Sequence, residues 1–466
     1  MTDGAPRLAR LRARLWARLG ERHDASSLLV FRVVLGALVA ISALRFLAYG
    51  WVDELFVKPT FFFKYWGFSW VSVLPPPGMH VVFGLLFVLG VLFAAGVAHR
   101  IVAPVLCLLF AYVQLVDVTN WLNHYYLVGL LLLLTTFMPL GRGIRHVPAW
   151  CTYLLRFQVG VVYVYAGLAK LTGDWLLHAA PLDIWLHART DVPVLGAFFG
   201  TRGAAYAFAW GGFLFDTTVV GFLLWRRSRP WAYAVLVAFH ATVGLLFPIG
   251  MFPLIMTSAA LVFFEPSWPR RLLALVVRRD GQPSSPPSVE PSTPARAPSR
   301  VLACFAVVYC LLQILVPLRH RLYGGDVLWH EQGMRFSWKV MVREKNGSIT
   351  YLVDAPAMGR SWYVDPRRYL TDRQERELSS QPDLVLQLAH HIKQDFAARG
   401  YPDVRVRAEA IVSLNGRPGA PMIDPAVDLA MTADGWAKAS WILPAPAGPP
   451  IHLRSRPWPA PRIASR

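Results

Sequence analysis

Residues 152–175 read TYLLRFQVGVVYVYAGLAKLTGDW. From Phe157 to Ala169 the run carries no charge, and 152–172 is long enough as a helix to cross the hydrocarbon core of a bilayer. It closes on Lys170. Arginine outnumbers lysine 40 to seven in this chain, so lysine is the unusual cation here. Arginine stays protonated, whereas a desolvated lysine can release its proton and serve as a base. The stretch therefore poses two questions: how many such helices there are, and why this one ends in an amine.

Aliphatic and aromatic residues make up 55% of the 466 positions and charged residues 16%, a balance that points to an all-α polytopic membrane bundle. Apolar runs fall at 28–48, 79–98, 101–117, 124–140, 152–172, 204–225, 231–247, 250–264 and 301–318, which predicts nine transmembrane helices. The eighth run is the shortest. Sidedness follows from Lys and Arg in the connections. With the N-terminus inside, the inner segments hold 19, namely six in 1–27, Arg100, three in 141–156, three in 226–230 and six in 265–300. The outer loops hold four, Lys58, Lys64, Arg189 and Arg202. The expected orientation in the inner (cell) membrane is a cytoplasmic N-terminus and an extracytoplasmic C-terminal region.

The net charge of +19 does not indicate nucleic acid, because the arginines sit in short loops between apolar runs. The expected organisation is a basic cytoplasmic N-terminus (1–27), a transmembrane domain (28–318) and an extracytoplasmic α+β domain (319–466). The segment 280–300, DGQPSSPPSVEPSTPARAPSR, reads as a cytoplasmic Pro/Ser-rich linker. In the last domain RQERELSSQPDLVLQLAHHIKQDFAARG reads as helix, VRVRAEAIVSL and SITYLVD alternate like strands, and the Pro-rich end after 443 reads as extended. Cys107, Cys151, Cys304 and Cys310 lie in or beside apolar runs, which indicates neither a disulfide framework nor a CxxC metal site.

With that topology Lys170, Asn123, His124, Met251 and Phe252 share the outer half of the bilayer beneath the C-terminal domain. Intramembrane ionisable groups are costly and are functional candidates. Each also has a plainer reading. Lys170 can snorkel to the interface, His124 can cap a helix, and His240 with Asp216 can form a polar pair. Trp121, Trp175 and Trp185 fit an aromatic belt. His390 and His391 are adjacent on a helix and face apart, a poor metal pair. No HExxH, Walker loop, GxSxG, GxGxxG or Cys/His zinc spacing occurs.

LVDVTNWLNHYYLVGLL, VYAGLAKLTGDW and FHATVGLLFPIGMF resemble three signature stretches of the vitamin K-dependent γ-glutamyl carboxylase family, also described through its horizontally transferred transmembrane (HTTM) domain. HRIVAPVLCLLF, GGFLFDTTVVGFLLW, EPSWPRRL, FSWKVMV and VSLNGRPGAPMIDPAVDL extend the resemblance, collinear from about residue 28 to 440. The resemblance implies an enzyme that uses reduced vitamin K, O2 and CO2 without metal, biotin or ATP. In the family a lysine base deprotonates the hydroquinone, which reacts with O2 to give a strongly basic species. That species removes a γ-proton from a protein glutamate, CO2 adds, and vitamin K epoxide is released. The base aligns with Lys170, and the pair that holds the oxyanionic quinone species aligns with Asn123 and His124. Neutral donors suit a developing oxyanion in a site that excludes water. His240, Phe247, Met251, Phe252, Trp338 and Met341 are the expected lining of the ring site, though core packing explains them equally well.

The chain departs from the animal members. Ala169 stands where they have a first lysine, the inter-loop disulfide has no counterpart, and the C-terminal region is shorter. Arginine-rich usage suggests a high-GC bacterial source, so menaquinol joins phylloquinol as a candidate. The expected partners are a lipid quinol, membrane lipid and a glutamate-containing peptide, with no nucleic acid. The alternatives are a quinol epoxidase without carboxylation, and a non-catalytic quinone-binding membrane module.

Overall fold

The structure is a computed structural model that describes residues 4–277 and 298–452. Most of the 280–300 linker, and the chain after 452, lie outside the described residues. Helix α1 (Gly4–Gly20) precedes the bundle, which consists of α2 (Ser26–Ala48), α3 (Gly78–Ala95), α4 (His99–Val116), α5 (Asn123–Thr136), α6 (Ala149–Ala169), α7 (Arg202–Leu224), α8 (Arg229–Leu246), α9 (Phe252–Ala259), α10 (Trp268–Val277) and α11 (Arg300–Leu315).

Every one of the nine apolar runs is helical, but not every helix is a full span. Among the described residues six are long and apolar enough to cross a membrane: α2, α3, α4, α6, α7 and α11 with its continuation to Leu322. Length and composition thus bear out six of the nine expected spans. Helix α5 has 14 residues, about 21 Å against a core of about 30 Å. Helix α9 is continued only to Phe263 by a tighter turn, and α8 carries Arg229 and His240, which make it more polar.

The helices pack through small residues, as expected where lipid gives no hydrophobic drive between helices. A Cβ on Gly36 of α2 would lie 2.7 Å from the carbonyl oxygen of Gly90 in α3. A Cβ on Gly167 of α6 would lie 2.6 Å from Thr217 Cγ2 and 3.0 Å from its backbone nitrogen in α7. Hence α6 and α7 touch backbone to backbone one turn before Lys170.

The connections sort onto two faces. On one, the short strand β1 (Arg22–Asp24) pairs antiparallel with β2 (His146–Pro148), Arg270 lies 3.0 Å from Asp24, and Arg156 Nε donates to Val262 O at 2.8 Å. These are the arginine-rich connections. The other face meets the C-terminal domain: Gln374 Nε2 donates to Asp117 Oδ2 (2.9 Å), and Lys64 N donates to Gln387 Oε1 (2.8 Å).

That domain is a four-stranded antiparallel sheet in the order β4-β3-β5-β6, with β3 (Lys345–Ala355), β4 (Arg360–Val364), β5 (Arg405–Leu414) and β6 (Ala420–Pro421). The two strands read from sequence lie within β3 and β5, and β4 was not anticipated. Alternate residues of β5, from Val406 to Leu414, are buried against helix α13 (Pro382–Ala398), whose Leu384, Leu388 and Ile392 face them. The single helix expected here is two, α12 (Asp372–Leu378) and α13. The break falls where Pro382 removes a backbone donor and keeps Gln381 extended, with φ −120° and ψ 107°.

Candidate active site in the membrane domain

Lys170 is the residue that closes α6, with its own N–H bonded to Gly167 O at 3.0 Å. Its side chain turns back along the helix, the direction helical side chains favour. Nζ lies 3.2 Å from Ala166 O, 2.6 Å from Asp216 Oδ2 of α7 and 5.2 Å from the centroid of the Trp175 ring. Only 6% of the residue is exposed, so the snorkelling reading fails. Trp175 is held by its own donor to Ala209 O (2.8 Å), and the absence of a side chain at Gly212 leaves room for Lys170 Cε and the indole, each 3.8 Å from where its Cβ would be.

The amine borders a cavity of about 90 Å³, smaller than typical ligand sites of several hundred Å³ and aromatic in its walls: Trp175, Trp185, Phe239, Phe247 and Phe252. The polar groups on it are Lys170, Asp216, Tyr163 and His240. Tyr163 and His240 share a hydrogen bond at 2.8 Å, while His240 Nδ1 is buried with no partner among the described residues. The expected His240–Asp216 pair is corrected: Asp216 goes to the lysine and His240 to the tyrosine.

The C-terminal domain roofs this cavity with Val340 and Met341. They lie in the FSWKVM loop, where Phe336 (φ 64°), Trp338 (φ 56°) and Met341 (φ 51°) all adopt left-handed backbone that non-glycine residues seldom occupy. Arg335 anchors the loop on Asp383 at 2.5 Å. A second tie lies four residues past the lysine. Asp174 receives two hydrogen bonds from Arg417 (2.6 and 2.7 Å) and one from Asn415 Nδ2 (2.8 Å). Two of the sequence stretches quoted above, AKLTGDW and VSLNGRPG, thus meet. Burial alone raises the Asp174 carboxyl, but the bonds from Arg417 and Asn415 outweigh it and hold that group below its ordinary value.

Phe247, Phe252, Met341 and His240 line the Lys170 cavity. Asn123 instead lines a neighbouring polar cavity of about 210 Å³, together with Thr119, Arg335, Lys339, Arg343 and Glu377, and Met341 borders both spaces. His124 is buried behind Phe252, whose ring centroid lies 6.2 Å from His124 and 5.9 Å from His240. Met251 is buried at the start of α9, and Trp338 stacks on Tyr126 at 4.8 Å, neither among the lining of the Lys170 cavity. Trp175 and Trp185 face inward, and Trp185 Nε1 donates to Glu344 Oε2 at 2.6 Å, so the belt reading is corrected for both. Sequence reasoning missed Asp216 as the partner of Lys170: a carboxylate inside an apolar run marked Asp216 as a candidate but not which residue it faces. It also missed Tyr163, Val340 and the Asp174–Arg417 tie. His390 bonds the backbone of Leu429 and Thr432 while His391 packs on Phe61, so the two do face apart. Among the described residues no group of three or more His, Cys, Asp or Glu is placed to hold a metal.

A helical membrane domain with a buried amine, closed from outside by an α+β domain, is the class of protein that fold and site define. The HTTM domain family matches residues 21–268, and the lumenal domain of vitamin K-dependent gamma-carboxylase matches residues 298–448. The chain belongs to the vitamin K-dependent gamma-carboxylase family. No solved structure matches it.

Proposed function

We propose that this membrane protein is a quinol-dependent carboxylase, using reduced vitamin K (phylloquinol or menaquinol) with O2 and CO2 to carboxylate glutamate in a peptide. The observation that carries this reading is the Lys170 amine, buried 2.6 Å from Asp216 on an aromatic-walled cavity. The residues suit a quinol chemically, with flat aromatic walls for a ring and, in His240 Nδ1, a buried polar atom without a partner among the described residues, and the space of about 90 Å³ would widen to admit the ring. Bound reduced vitamin K supplies the oxygenation chemistry and, through it, a base strong enough for a glutamate γ-carbon. Lys170 Nζ accepts the proton of a quinol hydroxyl. Trp175, Phe247 and Phe252 hold the ring and keep water out. Asn123 and His124 lie beyond Phe252 and Met341 and would act as neutral donors to a developing oxyanion only once those side chains turn aside. Met251 and Trp338 back those walls. For the carboxylation half, the polar cavity that shares Met341 offers a glutamyl carboxylate the Lys339 ammonium, whereas Arg335 is paired with Asp383 and Arg343 with Glu331.

The sorting of the arginine-rich connections onto one face supports nine passes between two sides, with the N-terminus cytoplasmic and the domain from 319 onward outside the cell membrane. Labelling of a cysteine at Ala420 from the cytoplasmic side would overturn that orientation. The reaction is tested by incubating purified protein with phylloquinol, labelled bicarbonate and a glutamyl peptide. Epoxide with labelled peptide supports the proposal. Epoxide alone leaves a quinol epoxidase, and neither product leaves a non-catalytic quinone-binding module.

A further inference from the structure

The Lys170 assignment leaves an unexplained neighbour. Asp216 sits well inside α7, 5% exposed, with Oδ2 2.6 Å from the amine. A carboxylate at such a depth is costly, and an ion pair of this kind is weak evidence for stability, since removing both charges is often neutral. An amine needed only as a lone neutral base has no use for it. The contact is also built. Gly167 lets α7 approach α6 to backbone distance, and the missing side chain at Gly212 makes room for the lysine stem.

We infer that Asp216 is a positioning residue that takes up the proton displaced when Lys170 acts as a base, an inference that rests on the reading of Lys170 given above. The groups facing Asp216 across this cavity are Lys170 and Tyr163 from α6 and His240 from α8, with the Trp175 ring beside the amine. Tyr163 and His240 are bonded to each other, so the carboxylate is the acceptor in direct reach of the amine. At rest the pair shares one proton as an ammonium against a carboxylate, 2.6 Å apart, and is neutral overall. The ammonium passes one proton to Oδ2, breaking an N–H bond and forming a carboxyl O–H bond, and Nζ takes the hydroxyl proton: the quinol O–H bond breaks, its electron pair stays on the quinol oxygen and a new N–H bond forms. The pair then holds two protons, as ammonium and carboxylic acid, and carries one positive charge beside the new negative one. Charge is created only as a compensated pair, which a low-dielectric cavity favours.

Infrared difference spectroscopy on the full-length protein tests this without turnover. Phylloquinol is added under argon, and a carboxylic-acid C=O band is expected to appear that is absent in Asp216→Asn and in Lys170→Arg. Asp216→Glu should move the band without removing it, which keeps the test open if Asp216→Asn folds poorly. In aerobic assays Asp216→Asn should lower epoxide formation about ten- to a hundredfold, with partial recovery in Asp216→Glu. No band in the wild type, or a band unchanged in Asp216→Glu, would overturn the inference, as would a wild-type rate in Asp216→Asn. The parent reading fails separately, through full epoxide formation by Lys170→Arg.

Discussion

Lys170 and Asp174 stand four residues apart at the same end of α6, and each forms an ion pair, yet the two pairs differ. The Asp174 carboxylate is held by both arms of the Arg417 guanidinium and by Asn415, between two domains. Lys170 meets Asp216 through one contact, inside the bundle. Their side chains are 13–16% exposed in the first pair and 7–8% in the second. A bidentate guanidinium fixes geometry and keeps its proton. An amine against a carboxylate fixes little geometry but allows a proton to move between the partners. One pair is a fastening and the other can pass a proton, and a single turn of chain separates them.

The contrast breaks most sharply at Lys170. Lys170→Arg keeps the charge and removes the accessible base, so epoxide formation should fall about 10²- to 10⁴-fold with thermal stability nearly unchanged. A small exogenous amine should partly restore Lys170→Ala, while His124→Ala should be slowed and not rescued. Gly167→Leu attacks the spacing that makes the inner pair. Any Cβ there meets Thr217 at 2.6 Å, so a loss of about 3 kcal/mol in thermal unfolding is expected, with much of the activity. Gly160→Ala, whose new Cβ would stand 3.4 Å from Val220 Cγ1, is the mild control. Arg417→Ala should cost about 2 kcal/mol of stability and raise the KM for quinol several-fold, because the roof loses a fastening while the amine is untouched. If quinol KM does not move, the outer pair plays no part in closing the cavity.

The smallest effect is in pH. The Asp174 carboxyl is held below its ordinary value, so its contribution to stability is complete above about pH 4 and is lost as pH falls through the lowered folded value. The difference in melting temperature between wild type and Arg417→Ala should be wide at pH 7 and narrow below pH 4. A constant difference down to pH 3 would show that the arginine does not act through the ionised carboxylate.

Hydropathy located all nine helical runs, because the cost of burying charge in lipid is written into each run by itself. It overstated α5 and α9, whose ends are set by tertiary contacts: His99 Nε2 bonds the Thr135 and Met138 carbonyls at the end of α5, and Arg156 captures the last carbonyls after α9. Lys170 was legible because lysine is rare here and because it closes a distinctive stretch. Its partner was not, since Asp216 is 46 positions away and the rotation of α7 decides whether it faces Lys170 or His240. That rotation depends on Gly167 meeting Thr217, a contact that no periodicity in either helix announces. The left-handed backbone of the FSWKVM loop was equally hidden, because Phe336, Trp338 and Met341 are residues that normally avoid it.

Val340 and Met341 come from sequence 170 positions beyond the lysine they cover. During synthesis Lys170 and Asp216 enter the membrane well before those residues leave the ribosome, and until the outer domain has folded their cavity has no ceiling. A half-made chain therefore holds the amine without the sealed space its chemistry requires. The closed cavity arrives with the last domain, so under the proposed function the order of translation acts as a safety catch on the reactive step.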